Sequence, residues 1–238
     1  MKYELGESKI INGIEFFRVV ALKDFSNVKK GDVGGWVTSE KNLSQKGNCW
    51  VFNNARVSGN AQVYGDAQVF NNAQVSGNAQ ISGEAWVFGD ARVFNNAQVY
   101  SDAKVSGGAW VYSNARVSGN AQVFNNAQVY GDAQVYSDAQ VYSDAQVYGN
   151  AQIFGNARIF GNVQVSGGKW IKAPLMIYGS QHVICHSSPR KITIGCISKT
   201  FDKWLKDYIE VGKKNGYSES EIKEYKRYID FIISSVTK

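Results

Sequence analysis

Residues 55–78 read ARVSGN AQVYGD AQVFNN AQVSGN, and the same six-residue unit runs on through residue 162. Ala recurs every sixth residue from Ala55 to Ala157, and Val or Ile follows two residues later each time, from Val57 to Ile159. With the flanking copies Cys49/Val51 and Val163/Val165, there are 20 repeats in 120 residues and no insertion. Self-similarity at a fixed period outranks local propensity in deciding a fold. In each unit the Ala and the aliphatic residue share one face of an extended segment, and the Gln and the aromatic or Ser take the other. The last two positions hold Gly, Asn, Ser or Asp, which tolerate positive φ, so each unit is a short strand and a corner.

A hairpin cannot hide an Ala/Val face repeated this often, whereas three such strands wound round a common axis can. Stacked coils also let each main-chain N–H and C=O pair with the coil above or below. Burying each Val or Ile contributes roughly 1.5–3 kcal/mol. The expected architecture is an all-β solenoid with three strands per coil, spanning residues 49–168. At ~4.8 Å per coil, it makes about 6.7 coils and about 32 Å of prism.

Outward residues 18 apart should then stack in columns. One column runs Phe52, Phe70, Phe88, Ser106, Phe124, Tyr142, Phe160, and its neighbour runs Trp50, Gln68, Trp86, Lys104, Gln122, Gln140, Arg158. Ser106 interrupts the first column, and Gly107-Gly108 follow it. The expectation is a notch one coil high between Phe88 and Phe124, with Lys104 as a cation beside it and Trp86 and Gln122 flanking it. A planar anionic ligand suits such a notch, because bases stack on aromatic rings and cations meet phosphate. Packing of like side chains along the columns is the competing, purely structural reading.

A bare solenoid end invites edge-to-edge stacking, so both flanks should cap it. In residues 1–48, Asn12-Gly13 between apolar runs signals a hairpin and hence a small β-cap. Residues 169–198 carry short apolar runs that suggest a few irregular strands. Residues 199–238 turn helical. Phe201, Trp204, Leu205, Tyr208 and Ile209 follow 3–4 spacing, Gly216 is placed to end that helix, and Ser218 with Glu221 forms a capping box for a second one.

The A-x-[VI]-x-x-[ND] unit resembles the hexapeptide motif of left-handed parallel β-helices, and the left hand follows from that resemblance alone. The segment GDVGGWVTSEKNLSQKGNCWVFNNA, residues 31–55, resembles the lead-in of the YdcK-like family of bacterial β-helix proteins. The tail from ITIGC onward resembles a module at the ends of phage and prophage proteins. That tail resemblance implies a phage or prophage origin, and with it a place in the host cytoplasm.

The net charge of +6 suggests an anionic partner until it is divided along the chain. Residues 49–168 carry 5 Lys/Arg against 7 Asp/Glu, while residues 169–238 carry 13 against 7. The solenoid lacks the repeated cations of a nucleic-acid groove, so nucleic acid is not the expected partner. The N-terminus has no signal-peptide h-region and no run is long enough for a membrane helix, so a cytoplasmic protein without membrane contact is expected. Cys49, Cys185 and Cys196 form no CxxC, which argues against a disulfide framework or zinc, and they read as small buried apolar residues.

Left-handed β-helix enzymes are mainly acyltransferases and γ-type carbonic anhydrases, and the latter need three His ligands. This chain has only His182 and His186. The Asp residues of the repeats sit at corners, where turn chemistry accounts for them. Neither metal nor cofactor is expected. The leading expectation is a non-catalytic, homo-oligomeric protein that binds a nucleotide-like small molecule or a host protein. Its site would be Trp86, Phe88, Lys104, Ser106, Gln122 and Phe124, with His182 and Arg190 as a secondary candidate. The alternatives are a self-assembling scaffold, or an acyltransferase-like enzyme that uses His182.

Overall fold

The computed structural model describes residues 1–236; residues 237 and 238, which the expected helical hairpin includes, lie outside the described residues. Its body is a β-solenoid whose three walls are parallel sheets of two-residue strands, one strand per hexapeptide. Pairing is in register at 18 residues: Trp50 with Gln68, Gln68 with Trp86, Trp86 with Lys104, and Lys104 with Gln122. Each Ala from Ala55 to Ala157 and its aliphatic partner are buried on the axis. Ala suits one inward position because a larger side chain there would meet the opposite walls. The corners take positive φ, at 61° for Asn71, 60° for Ser101 and 71° for Gly89.

The ladder extends past 49–168 at both ends. Strands β1 (Tyr3–Ile11) and β2 (Ile14–Ala21) form the expected hairpin, turning at Asn12 and Gly13 with φ of 52° and 77°. Strand β3 (Val33–Val37) pairs antiparallel with β2 and parallel with the Arg56–Val57 strand, so the lead-in segment already belongs to a coil wall. Lys2 is buried there, and its ammonium donates to the carbonyls of Gly47 and Cys49 at 3.3 and 2.8 Å. At the other end, Lys169–Trp170 pairs with Gln152–Ile153 as a last rung.

Beyond that rung the chain is more regular than the few irregular strands expected from its short apolar runs. Met176–Tyr178, Val183–Ser188, Lys191–Ile194 and Ile197–Thr200 form an antiparallel four-stranded sheet in sequence order. Helices α1 (Phe201–Lys214) and α2 (Glu219–Val236) pack on it around Ile184, Ile192, Trp204, Tyr225, Ile229 and Ile232. Trp204 donates its indole N–H to the Ile192 carbonyl at 2.7 Å, which lets a polar atom sit in an apolar core. The capping box is formed, with Ser218 N–H on Glu221 at 2.6 Å and Glu221 N–H on Ser218 Oγ at 3.3 Å. Cys49 and Cys185 are buried as expected, but Cys196 is exposed, because it sits in the turn between the last two strands of this sheet.

Candidate ligand-binding surface

The outward columns stack as the 18-residue register requires. Phe70 lies on Phe88 with ring centroids 4.9 Å apart and planes 1° apart, and Phe124 lies on Tyr142 at 4.9 Å and 4°. Tyr142 continues to Phe160 at 5.4 Å. Ser106 thus stands between two ring stacks where one rung is missing. A second ladder is broken at the same corner. Asn72 donates to Asp90 and Asn126 donates to Asp144, each at 3.1 Å, but Gly108 stands between these pairs and has no side chain to continue the chain. Gly107 is an ordinary corner residue with φ of 62°, like its counterparts at other corners. The opening therefore comes from Ser106 and Gly108.

Lys104 does not reach out as a free cation. Its ammonium lies 4.9 Å from the centre of the Trp86 ring, and Phe70 meets the same indole edge-on at 6.0 Å. Arg92 rests on Trp110 in the same manner on the next wall, at 5.2 Å. Gln122 follows Lys104 in the wall, and Phe88 and Phe124 close the gap below and above.

The secondary candidates sit in the C-terminal cap and are not brought together. Arg190 is exposed and lies 4.0 Å from Asp202. His182 stacks on Tyr217, with planes 6° apart, and its Nδ1 is 2.6 Å from the Tyr217 hydroxyl. Burial first, then Tyr225 and the carboxylates of Glu221 and Glu224, raise the pKa of Tyr217 and keep that hydroxyl protonated. Tyr225 in turn accepts from the backbone N–H of Gln181 at 3.0 Å and donates to the His182 carbonyl at 2.7 Å. His182 lines a cleft of about 480 Å³ between the last coil and the sheet, together with Asn162, Gln164, Met176, Tyr178 and Thr193. His186, by contrast, is buried against Trp170 and Phe201.

Three windows of the coils, residues 61–77, 115–131 and 151–167, match the YdcK Beta solenoid repeat. These coils are YdcK-like. A relative from Escherichia coli (strain K12), named "Uncharacterized acetyltransferase YdcK", is 37% identical over 41 residues. That match covers 17% of this chain and only 13% of the relative, well short of two thirds of its length. The match thus covers parts of the coil walls and says nothing of the cap. Among the described residues no group of His, Cys, Asp and Glu could hold a metal ion, and no helix is long and apolar enough to cross a membrane.

Sequence reasoning missed part of the surface. The column beside Gln62, Gln80 and Gln98 on another wall runs Tyr64, Ser82, Tyr100, Ser118, Tyr136, Phe154, so it also lacks rungs, at Ser82 and Ser118. The same 18-residue register lays this column out in the sequence, although no site is expected there from the sequence alone.

Proposed function

We propose that this protein is a non-catalytic binding solenoid that takes a planar, anionic, nucleotide-like ligand into gaps of its aromatic columns. The observation that supports it is the missing rung at Ser106, set between the Phe70–Phe88 and Phe124–Tyr142 stacks. A ring inserted there would continue a ladder whose neighbours already stack at 4.9 Å, and each such contact contributes about 1–3 kcal/mol. Lys104, parked on Trp86, would swing to the ligand's anion. The resemblance of the tail to modules of phage proteins supports placing this binding in an infected bacterium, where holding a nucleotide signal or a host defence factor would serve the phage. Exposed apolar residues on the helices, Leu205, Ile209 and Phe231 at 42%, 46% and 55%, support self-association as the second element of the reading. The helices share a core with the sheet, so the informative change is Leu205, Ile209 and Phe231 to Lys together, not deletion. Light scattering should show a smaller particle, and an unchanged mass argues against this interface.

The test of binding is a thermal-shift series with adenosine 5′-monophosphate, together with mass measurement of any ligand carried through purification. A ligand at 100 times its dissociation constant stabilises by about 2.7 kcal/mol. Ser106→Phe, which the column accepts at equivalent positions, should remove the share of that stabilisation due to this gap. Equal stabilisation of wild type, Ser106→Phe and Lys104→Ala would sink the assignment.

An acyltransferase reading is supported by the relative's name and by one geometric observation, the 2.6 Å contact of His182 with Tyr217 beside the junction cleft. For His182 to act as a base, Nδ1–H must donate to the Tyr217 oxygen, leaving the Nε2 lone pair for a hydroxyl substrate. Release of free thiol from acetyl-CoA, abolished by His182→Ala, would favour this reading over the first.

A further inference from the structure

Three tyrosines of the columns share a contact that Tyr136 and Tyr148 do not make, although a Gln lies 16 residues ahead of each of those too. The hydroxyls of Tyr64, Tyr112 and Tyr130 each donate to the side-chain oxygen of the Gln 16 residues ahead, in the wall of the next coil, at 3.4, 3.5 and 3.4 Å. For Tyr100 the residue 16 ahead is Arg116, which offers donors only. The Tyr100 hydroxyl has no side-chain partner among the described residues, and no Gln stands where one could accept from it. Its ring is also unstacked and 37% exposed, because Ser82 and Ser118 leave both of its faces uncovered. Arg116 stacks in register between Gln98 and Gln134, next to Ser118. Unlike Arg92 and Lys104, which rest on tryptophans, Arg116 has no ring, ion-pair or hydrogen-bond partner through its side chain among the described residues. Above the gap, Tyr136 is held flat by Phe154 at 5.2 Å and 4°.

A phenol and a guanidinium that both donate and both lack an acceptor, beside a slot one ring high, call for an acceptor that carries a ring. We propose that Tyr100, Arg116, Ser118 and Tyr136 form a second binding slot for a planar aromatic anion. The ring lies between Tyr100 and Tyr136, whose two-coil separation is about 10 Å. Its carboxylate or phosphate takes hydrogen bonds from Arg116 and the Tyr100 hydroxyl, the planar guanidinium fork suiting either anion. The slot deepens the reading of the column gaps as binding sites, but rests on residues that the first gap does not use.

Ligand-observed saturation-transfer NMR separates the two sites. The probes are adenosine 5′-monophosphate, 2-naphthoate, and their uncharged counterparts adenosine and 2-naphthamide, so that phosphate and carboxylate are read independently. The protein is the full chain carrying Ser106→Phe, which fills the first gap. Saturation should reach the ring protons of at least one anionic probe, more strongly than its uncharged counterpart. Adding Ser118→Phe should abolish it without loss of folding, since Tyr and Phe occupy the same column at residues 100, 136 and 154. Arg116→Gln restores the Tyr–Gln contact found elsewhere and should weaken the anion by about tenfold while sparing the uncharged probe, as a lost charge-assisted hydrogen bond does. If Ser106→Phe alone abolishes all transfer, the second slot is wrong and the first stands. If Ser118→Phe has no effect, or Arg116→Gln leaves the anion preference intact, the second slot is likewise overturned.

Discussion

The solenoid and the C-terminal cap solve the same problem of burying apolar surface in opposite ways. In the solenoid one solution is repeated: Ala and Val on the axis, a positive-φ corner, and backbone bonds such as Trp86 N–H to Ala103 O at 2.9 Å, recurring coil after coil. In the cap nearly every contact occurs once. Trp204 has a single carbonyl to donate to, Tyr225 a single backbone turn to bind, and Gly212 a single close approach, where an added Cβ would lie 2.6 Å from Ile222. A repeated solution spreads stability over equivalent positions and leaves its outer columns free to vary. A single solution concentrates stability in a few residues. The two regions have largely separate cores, so they should also fail separately.

The largest test of that separation is Trp204→Ala. Removing a buried Trp and its hydrogen bond costs about 3–5 kcal/mol, most of what a small cap can supply. Heating this variant should show an early loss of the helical circular-dichroism signal, since both α-helices among the described residues lie in the cap, while the β signal of the coils melts near its wild-type temperature. One coincident transition in both probes would break the comparison.

The uniformity of the coils is tested by overpacking. Ala115→Leu, Ala121→Leu and Ala127→Leu each insert a side chain at a fully buried axial position, one on each wall, and should each cost about 1–3 kcal/mol. The three denaturation midpoints should agree closely. A wide spread would mean that the walls are less equivalent than their register implies.

A smaller effect distinguishes the junction by pH. Burial, opposed in part by hydrogen bonds to the backbone carbonyls of Pro189 and Ser188, lowers the pKa of His186, and its Nε2 has no partner. The folded protein therefore prefers the neutral ring, while the unfolded chain takes up its proton near pH 6.5. Stability should be full above about pH 6.5, fall as pH drops toward the lowered folded-state pKa, and level off below it. His186→Phe should flatten this dependence in urea titrations over that range, and a parallel pH profile for the variant would show that another group is responsible.

How much of this was legible in the sequence follows from the same contrast. Register, wall assignment and the Ser106 gap could be read because a period of six and a turn of 18 convert position into place, and the Asn12-Gly13 hairpin and the Ser218–Glu221 box carry local chemistry of their own. The regular sheet of the cap was not legible, since its strands pair through residues that no period connects. Neither was the burial of Lys2: a terminal lysine looks solvated until the carbonyls of Gly47 and Cys49, more than forty residues away, turn toward it. At the candidate sites, sequence placed Lys104 beside its gap but not on the Trp86 ring, because ring contacts depend on rotamers. Arg116 was missed although the register carries its signal, as the acceptor absent 16 residues after Tyr100.

The smallest expected effect tests whether the exposed corner ladders matter at all. Amides along one corner donate in sequence, Asn60 to Asn78, Asn78 to Asn96, Asn96 to Asn114, and Asn114 to Asp132, at 3.1, 3.0, 3.1 and 3.0 Å. All are solvent-exposed, so water competes for each bond, and Asn96→Ala should cost only about 0.5–1 kcal/mol despite breaking two of them. Its neighbour Asn95 makes no rung of this ladder but holds φ of 60°, a conformation that penalises an L side chain with a Cβ by about 1–2 kcal/mol unless it is Asn or Gly. Asn95→Ala should therefore destabilise more than Asn96→Ala, and Asn95→Gly should be nearly neutral. If the order is reversed in chemical denaturation, cooperative amide ladders hold the corners, and the gap at Gly108 becomes a weak point in the wall and not only an opening in its surface.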